Sequence, residues 1–439
     1  MAIVGSDHPS SHREDGSTST ASRRPGVIRV GLVFTYLACL TVPWTAVGLG
    51  PIRLGDIFLV MGLAAIFAAD LAVTMPRIPA WVWLFAGTIL LVGMIHEVFP
   101  VSPDYLAQRL LPQSNGVVLR GSTLGFSNGG VMIKFLIPVV GLPLLFGLAY
   151  TYDRRALTRC AVSFAAGAAV SGLIAFTDVE GLTAIAAHVT GFAAAGGRGT
   201  GLTEQSNYVA MASVFGLPIM LWKVLADSLR VRVWAALGVA ALLAGLYASG
   251  SRSGAGAGAA AIALSVVLLP RFRRVLPFVA LLGGIVLTLG FVIHPAIGDN
   301  ILRALRLNGG QTAGSDLGRT IINTQAAHDF GHSPIYGIGL EVAGEAHIVY
   351  LQALAAGGIV LLTGYVVFHL GALVRSLAAS RTQPLAAALF VSVLAGIVFN
   401  AEQDALTLRI VYLPASLAAA LLETSGPTGR GPDRGVARG

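Results

Sequence analysis

The chain has 439 residues, a net charge of +8, and 55% hydrophobic against 11% charged residues. Soluble domains carry about 25% charged residues, so a deficit spread over the whole length excludes an ordinary soluble enzyme and points to an integral membrane protein. Long, continuously apolar runs exclude a β-barrel, whose strands alternate over short segments. The positive charge is expected in basic loops rather than on a nucleic-acid surface.

Residues 1–28 are rich in Ser, Asp, His and Arg and read as a disordered cytoplasmic tail, as does 424–439. Between them, 29–423 reads as a single transmembrane domain. Its fold class is all-α, a polytopic helical bundle with about twelve spans. They are expected near 30–49, 55–73, 80–98, 131–150, 157–177, 206–225, 231–249, 254–270, 276–294, 347–374, 384–399 and 405–422. With the N-terminus inside, Arg77, Arg154, Arg155, Arg230, Arg232, Arg271, Arg273, Arg274, Arg375 and Arg381 all fall in inner segments. That is the positive-inside pattern, and it puts both termini in the cytoplasm. Cys39 and Cys160 lie in or beside spans, so a disulfide framework is not expected.

Three outer segments are long: 99–130, 178–205 and 295–346. The last contains "GSDLGRTIINTQAAHDF", expected to form a short amphipathic helix starting after Ser315 as N-cap, with Ile321, Ile322 and Ala326 on one side and Asp316, Arg319 and Asn323 on another. "GHSPIYGIG" then reads as turns. No internal repeat of the transporter kind is visible.

The inside rule does not account for several arginines on the outer side. Arg252 lies between the seventh and eighth spans in "YASGSRSGAGAG", Arg198 in "GGRGTGLTEQSNYVA", Arg319 in the outer helix, and Arg409 within about two turns of the outer surface; Arg303 and Arg306 are also external. A guanidinium is a rigid, permanently charged fork that grips phosphate by paired bonds. Their convergence on one face suits a lipid-linked pyrophosphate, with Ser251 and Ser253 as weaker donors. The plainer reading, arginines snorkelling to headgroups, suits Arg53 and Arg120, and Gly254 and Gly258 have the spacing of close helix packing. His347 stands at the outer mouth of the tenth span. Its near-neutral pKa fits proton transfer from a sugar hydroxyl, with Glu341 and Glu345 as candidate orienting groups. His328 and His332 are weaker candidates, and Tyr350, one turn beyond His347, either lines a pocket or anchors the helix. No Walker motif, HExxH, close Cys/His cluster or paired outer aspartates occur, so neither a metal nor another cofactor is expected. The arginines would then have to neutralise the leaving group themselves. Asp56 and Asp70 are the nearest things to a buried relay that a proton-coupled transporter would need.

In order and spacing these landmarks resemble the O-antigen ligase and polysaccharide polymerase superfamily of bacterial membrane glycosyltransferases. The resemblance rests on "GRGTGLTEQSNYVA" (Arg198, Asn207), "SGSRSGAGAGAAAIAL" (Arg252), "GRTIINTQAAHDFGHSPIYGIGL" (Arg319, Pro334, Gly337, Gly339) and "AHIVYLQALAAGG" (His347). The family's usual asparagine after the histidine is Ile348 here. The resemblance implies a glycosyltransferase-C-like bundle in the bacterial cytoplasmic membrane with an extracytoplasmic active site. It also implies metal-independent, inverting transfer of a glycan from undecaprenyl pyrophosphate to an acceptor hydroxyl on a glycan or lipid-glycan. Carried over in that way, Arg252 and Arg319 hold the pyrophosphate, Arg198 helps bind the donor, and His347 activates the acceptor. A polymerase using the same donor and a transporter of lipid-linked oligosaccharide are the alternatives.

Overall fold

The computed structural model describes residues 25–49, 52–69, 75–109, 128–194, 197–225, 228–268, 276–293, 313–343 and 346–421. Arg120, Asp70, Arg303, Arg306, Glu345, most of both tails and the first part of the largest outer segment lie outside these residues.

Each expected span coincides with a helix. α1 (Pro25–Thr41), a two-residue hairpin of β1 (Gly48–Leu49) and β2 (Ile52–Arg53), and α2 (Leu54–Ala69) come first. α3 is Ala80–Val98, and α4 (Pro103–Gln108) follows it as a short outer helix capped by Ser102. The next span is α5 (Asn128–Leu136), a π-helical turn Ile137–Gly141 and α6 (Leu142–Tyr152), the wide turn falling where Pro138 removes a backbone donor. α7 (Ala156–Val179), a short α8 (Ile185–Thr190), α9 (Ser206–Val224), α10 (Leu229–Ser249), α11 (Arg252–Leu268) and α12 (Leu276–Ile293) follow. The outer helix α13 (Ala313–His332), α14 (Val349–Ser380), α15 (Pro384–Phe399) and α16 (Arg409–Leu421) complete the order.

Among the described residues seven helical segments are long and apolar enough to cross a membrane: 80–98, 128–152, 156–179, 206–224, 229–249, 349–380 and 384–402. Four further apolar helices are shorter, α1, α2, α11 and α16. The chain is therefore a multi-pass membrane protein whose spanning elements are helices. Several expected boundaries move. The first span ends at Thr41 rather than 49, because Val42 precedes Pro43 and is biased away from helix. It also starts at Pro25, inside the expected tail, with proline at a first-turn position that needs no donor. The last begins at Arg409 rather than 405, leaving 403–408 as a non-helical polar strip. The outer helix starts at Ala313, ahead of Ser315.

α9 and α16 form the bundle's centre. Nearly every residue of both is buried, in a protein whose peripheral helices leave Trp83, Trp234 and Leu237 exposed. Small residues let the helices approach: a Cβ on Gly254 would lie 2.6 Å from Ala210 Cβ, and one on Gly258 would lie 2.8 Å from Leu246. These two glycines serve packing.

α14 is broken. Gly358 adopts φ +62°, ψ −159° inside the span. The turn Pro334–Gly339 docks its backbone into the break: Ile338 N donates to Ala355 O (2.8 Å), Gly339 N to Ala356 O (3.1 Å) and Ile359 N to Pro334 O (2.9 Å). Backbone groups freed by a broken helix must be re-satisfied within the membrane, and here the outer loop does so. Only glycine fits: a Cβ on Gly358 would sit 2.2 Å from Ile335 O, and one on Gly337 2.4 Å from Ala356 C.

Candidate active site

The "SGSRSG" stretch resolves into a joint between two helices. Gly250 (φ +57°) closes α10 in the left-handed conformation. Ser251 Oγ accepts from Gly254 N (3.2 Å), which is the geometry of a cap on α11. Ser251 is buried and is occupied by this capping. Ser253 accepts from Gln403 Nε2 (3.3 Å). Arg252, the first residue of α11, is exposed, and no hydrogen bond or ion pair ties it to the described residues. It stands at the N-terminus of α11, the positive end of a helix dipole, where an anion is favoured.

Arg198 locks the joint. Its Nε donates to Ser249 O (2.8 Å) and one Nη to Asn207 Oδ1 (2.6 Å), and its side chain packs over Gly250. Asn207, buried in the first turn of α9, is thereby tied to the α10–α11 joint. Arg198 and Asn207, from one sequence motif, are thus hydrogen-bonded to each other at the joint from which α11 starts.

α13 presents Arg319 and Asn323 one turn apart, on one face. Asn323 Oδ1 accepts from the backbone N of His347 (3.0 Å), fixing the mouth of α14 against the outer helix. His347 is half-buried, and its Nδ1 lies 3.9 Å from Asp404 Oδ2. Burial pushes the His347 imidazole below its usual range; the Asp404 carboxylate opposes that shift, and the nearby Arg319 charge reinforces it. The imidazole is therefore neutral, and a base, at neutral pH.

Asp404 was not among the sequence expectations. It lies in the strip between α15 and α16, buried, and accepts from Gln205 Nε2 (3.2 Å) and Tyr208 OH (3.3 Å) as well as facing His347. Its neighbour Gln403 carries the link to Ser253. The first turn of α9, the α10–α11 joint, the mouth of α14 and the 403–408 strip are thus stitched together at one end of the bundle. The sequence signal was present in "NAEQDALTLR", a polar run just before the final apolar helix. Among the described residues Asp404 is the carboxylate that faces His347; Glu345 lies outside them.

Four other candidates have different partners. Arg409 forms a buried ion pair with Asp56 at the start of α2, beside an Arg53–Glu204 pair. Tyr350 OH donates to Ile397 O (2.6 Å) and packs edge-on to Tyr365, so it joins α14 to α15. His328 and His332 stack on Tyr105 of α4, with ring centroids 5.8 and 3.7 Å apart. Tyr105 OH and Arg109 both donate to the fully buried Asp329 (2.9 and 2.7 Å). Burial and the Asp329 carboxylate raise the Tyr105 hydroxyl pKa, so it stays a donor. This clamp holds the outer helix in place, over the bundle end that carries His347.

Comparison with known families bears on this arrangement. Residues 237–366 match the O-antigen ligase family model. The matched region begins in α10 and contains Arg252, the outer helix with Arg319, the interlocking turn and His347. It supports the resemblance to the O-antigen ligase and polymerase superfamily, a glycosyltransferase-type activity, and a lipid-linked glycan donor and acceptor in a membrane. No curated protein matches the chain.

Proposed function

We propose that this protein transfers a glycan from a polyprenyl, in bacteria undecaprenyl, pyrophosphate donor to an acceptor hydroxyl at the outer face of the cytoplasmic membrane, without metal and with inversion. The observation that carries the reading is His347. It is held by Asn323 through its backbone, faced by the Asp404 carboxylate, and lies within the field of Arg319. The Nδ1 atom turned toward Asp404 leaves Nε2 to receive the hydroxyl proton. Asp404 fixes the ring and stabilises the imidazolium as it forms, and 3.9 Å shortens readily when a substrate closes the site. The acceptor oxygen attacks the anomeric carbon from the side opposite the diphosphate. The sugar–oxygen bond breaks, its electron pair leaves on the phosphate oxygen, and Arg252 and Arg319 neutralise that charge. Arg252 is suited to this by its exposure at a helix N-terminus, with no ion-pair partner among the described residues. Arg198 is mainly a positioning residue, because its bonds to Ser249 and Asn207 set the joint from which Arg252 projects.

The test is reconstitution of the purified protein with lipid-linked glycan and candidate acceptors, with product analysis by mass spectrometry. A covalent glycan–acceptor product with release of polyprenyl pyrophosphate is expected. Movement of intact lipid-linked glycan across the vesicle, with no new glycosidic bond, would replace this reading with transport.

A further inference from the structure

An apolar groove of about 1180 Å³ runs along the bundle between α7 and α10, with the end of α9 and Leu289 of α12 contributing to its walls. It follows α7 from Thr158 to Phe176, about 27 Å at ~1.5 Å per residue, close to the ~30 Å hydrocarbon core of a bilayer. Its walls are built from Ala, Val, Leu, Met and Trp side chains, with Trp234 and Met220 among the largest. Its charged residues gather at one end. Arg159 stands near the N-terminus of α7, Lys223 at the C-terminus of α9 and Arg230 in the first turn of α10. That end is opposite to the one holding Arg198, Arg252 and His347, which lie near the other termini of α9 and α10 and at the mouth of α14. Among the described residues no carboxylate lines the groove. Asp153 beside it pairs with Arg159 (2.7 Å). Lys223 lies 4.2 Å from the Trp222 ring centroid, and neither it nor Arg230 has a carboxylate partner among the described residues.

Two cations without a carboxylate partner among the described residues, at the mouth of an apolar groove, match an amphiphile with a negative head whose hydrocarbon chains fill the adjoining half of the groove. We propose that the groove binds an anionic phospholipid, its headgroup on Lys223 and Arg230 and its acyl chains along α7 and α10, at the membrane face opposite the candidate active site. The inference needs only that the chain spans a membrane and is independent of the glycan-transfer reading.

The test uses the full-length protein in nanodiscs of phosphatidylglycerol and phosphatidylcholine in equal amounts, followed by native mass spectrometry of retained lipid. Enrichment of phosphatidylglycerol on the order of tenfold is expected for two surface cations. Lys223→Gln combined with Arg230→Gln should abolish the enrichment at unchanged Tm, while Lys223→Arg with Arg230→Lys should keep it. Brominated phosphatidylglycerol should quench a fluorescence component that Trp234→Phe removes. Equal retention of the two lipids, enrichment that survives the glutamine pair, or quenching unaffected by Trp234→Phe would overturn the proposal. Displacement of phosphatidylglycerol by an equimolar polyprenyl phosphate would assign the groove to the other lipid and overturn it too.

Discussion

At the scale of single residues, the site divides into groups that are free to act and groups that hold the fold. Arg252 is exposed and unengaged, so Arg252→Ala should leave Tm within about 0.5 kcal/mol equivalent of wild type. Glycan transfer should nevertheless fall by about 10²–10³, the usual loss on removing one preorganised charge donor; side-by-side melting and transfer assays check both. The His347 environment gives a second expectation, in pH. The neutral imidazole is the active form, so transfer rises with pH through its pKa, which lies below the ordinary histidine value. Asp404 raises that pKa, so Asp404→Asn should move the acid limb of the pH–rate profile to lower pH. Arg319 lowers it, so the residual activity of Arg319→Gln should show its acid limb at higher pH. Shifts of the same sign in both variants would remove His347 as the titrating base. The sequence made Arg198, Arg252, Arg319 and His347 visible because outer-side cations and an interfacial histidine are out of place by the inside rule. It hid Asp404, whose partners Gln205 and Tyr208 are distant in the chain, and it hid that Ser251, Tyr350 and Arg409 are occupied elsewhere, since a side chain's hydrogen-bond partner is a property of packing.

Among the elements, the broken α14 is the feature that no hydropathy reading could supply. "LAAGGIVLL" is continuously apolar, and only the left-handed Gly358 and the backbone bonds from Pro334–Gly339 reveal two half-helices. Span positions were legible because apolar length survives any packing arrangement; ends were less so where Pro43 and the 403–408 strip interrupt. Gly358→Ala should cost at least about 1–3 kcal/mol for the left-handed backbone alone, and more because its Cβ collides with Ile335 O. It should also reduce transfer by displacing His347. Gly256→Ala is the control: nothing lies within 4 Å of a Cβ there, in the middle of α11, so stability should hold or rise by about 0.5–1 kcal/mol. Thermal melts in detergent compare the two.

For the molecule as a whole, the proposed orientation can be tested with the chain's own chemistry. Cys39 and Cys160 are both fully buried, so single cysteines can be introduced without first removing them. Leu182→Cys and Leu317→Cys, exposed at the end that carries the site, should react with an impermeant maleimide in intact cells. Arg155→Cys and Leu229→Cys, exposed at the opposite end, should react only after permeabilisation. Labelling of the two groups in the reverse order would place the site in the cytoplasm and remove access to an outer-leaflet donor, and labelling of all four from outside would overturn the placement of the two ends on opposite sides of the membrane.

The docking of Pro334–Gly339 into α14 also governs how this protein can be recombined with others. Because Pro334, Ile335, Ile338 and Gly339 of the loop supply hydrogen bonds that the membrane segment lacks, a chimaera with its junction at the lipid surface, just before His347, would pair a gap with a foreign plug. Exchange of acceptor specificity between such proteins should therefore succeed only when the transplanted cassette extends from the start of the outer helix past Gly358.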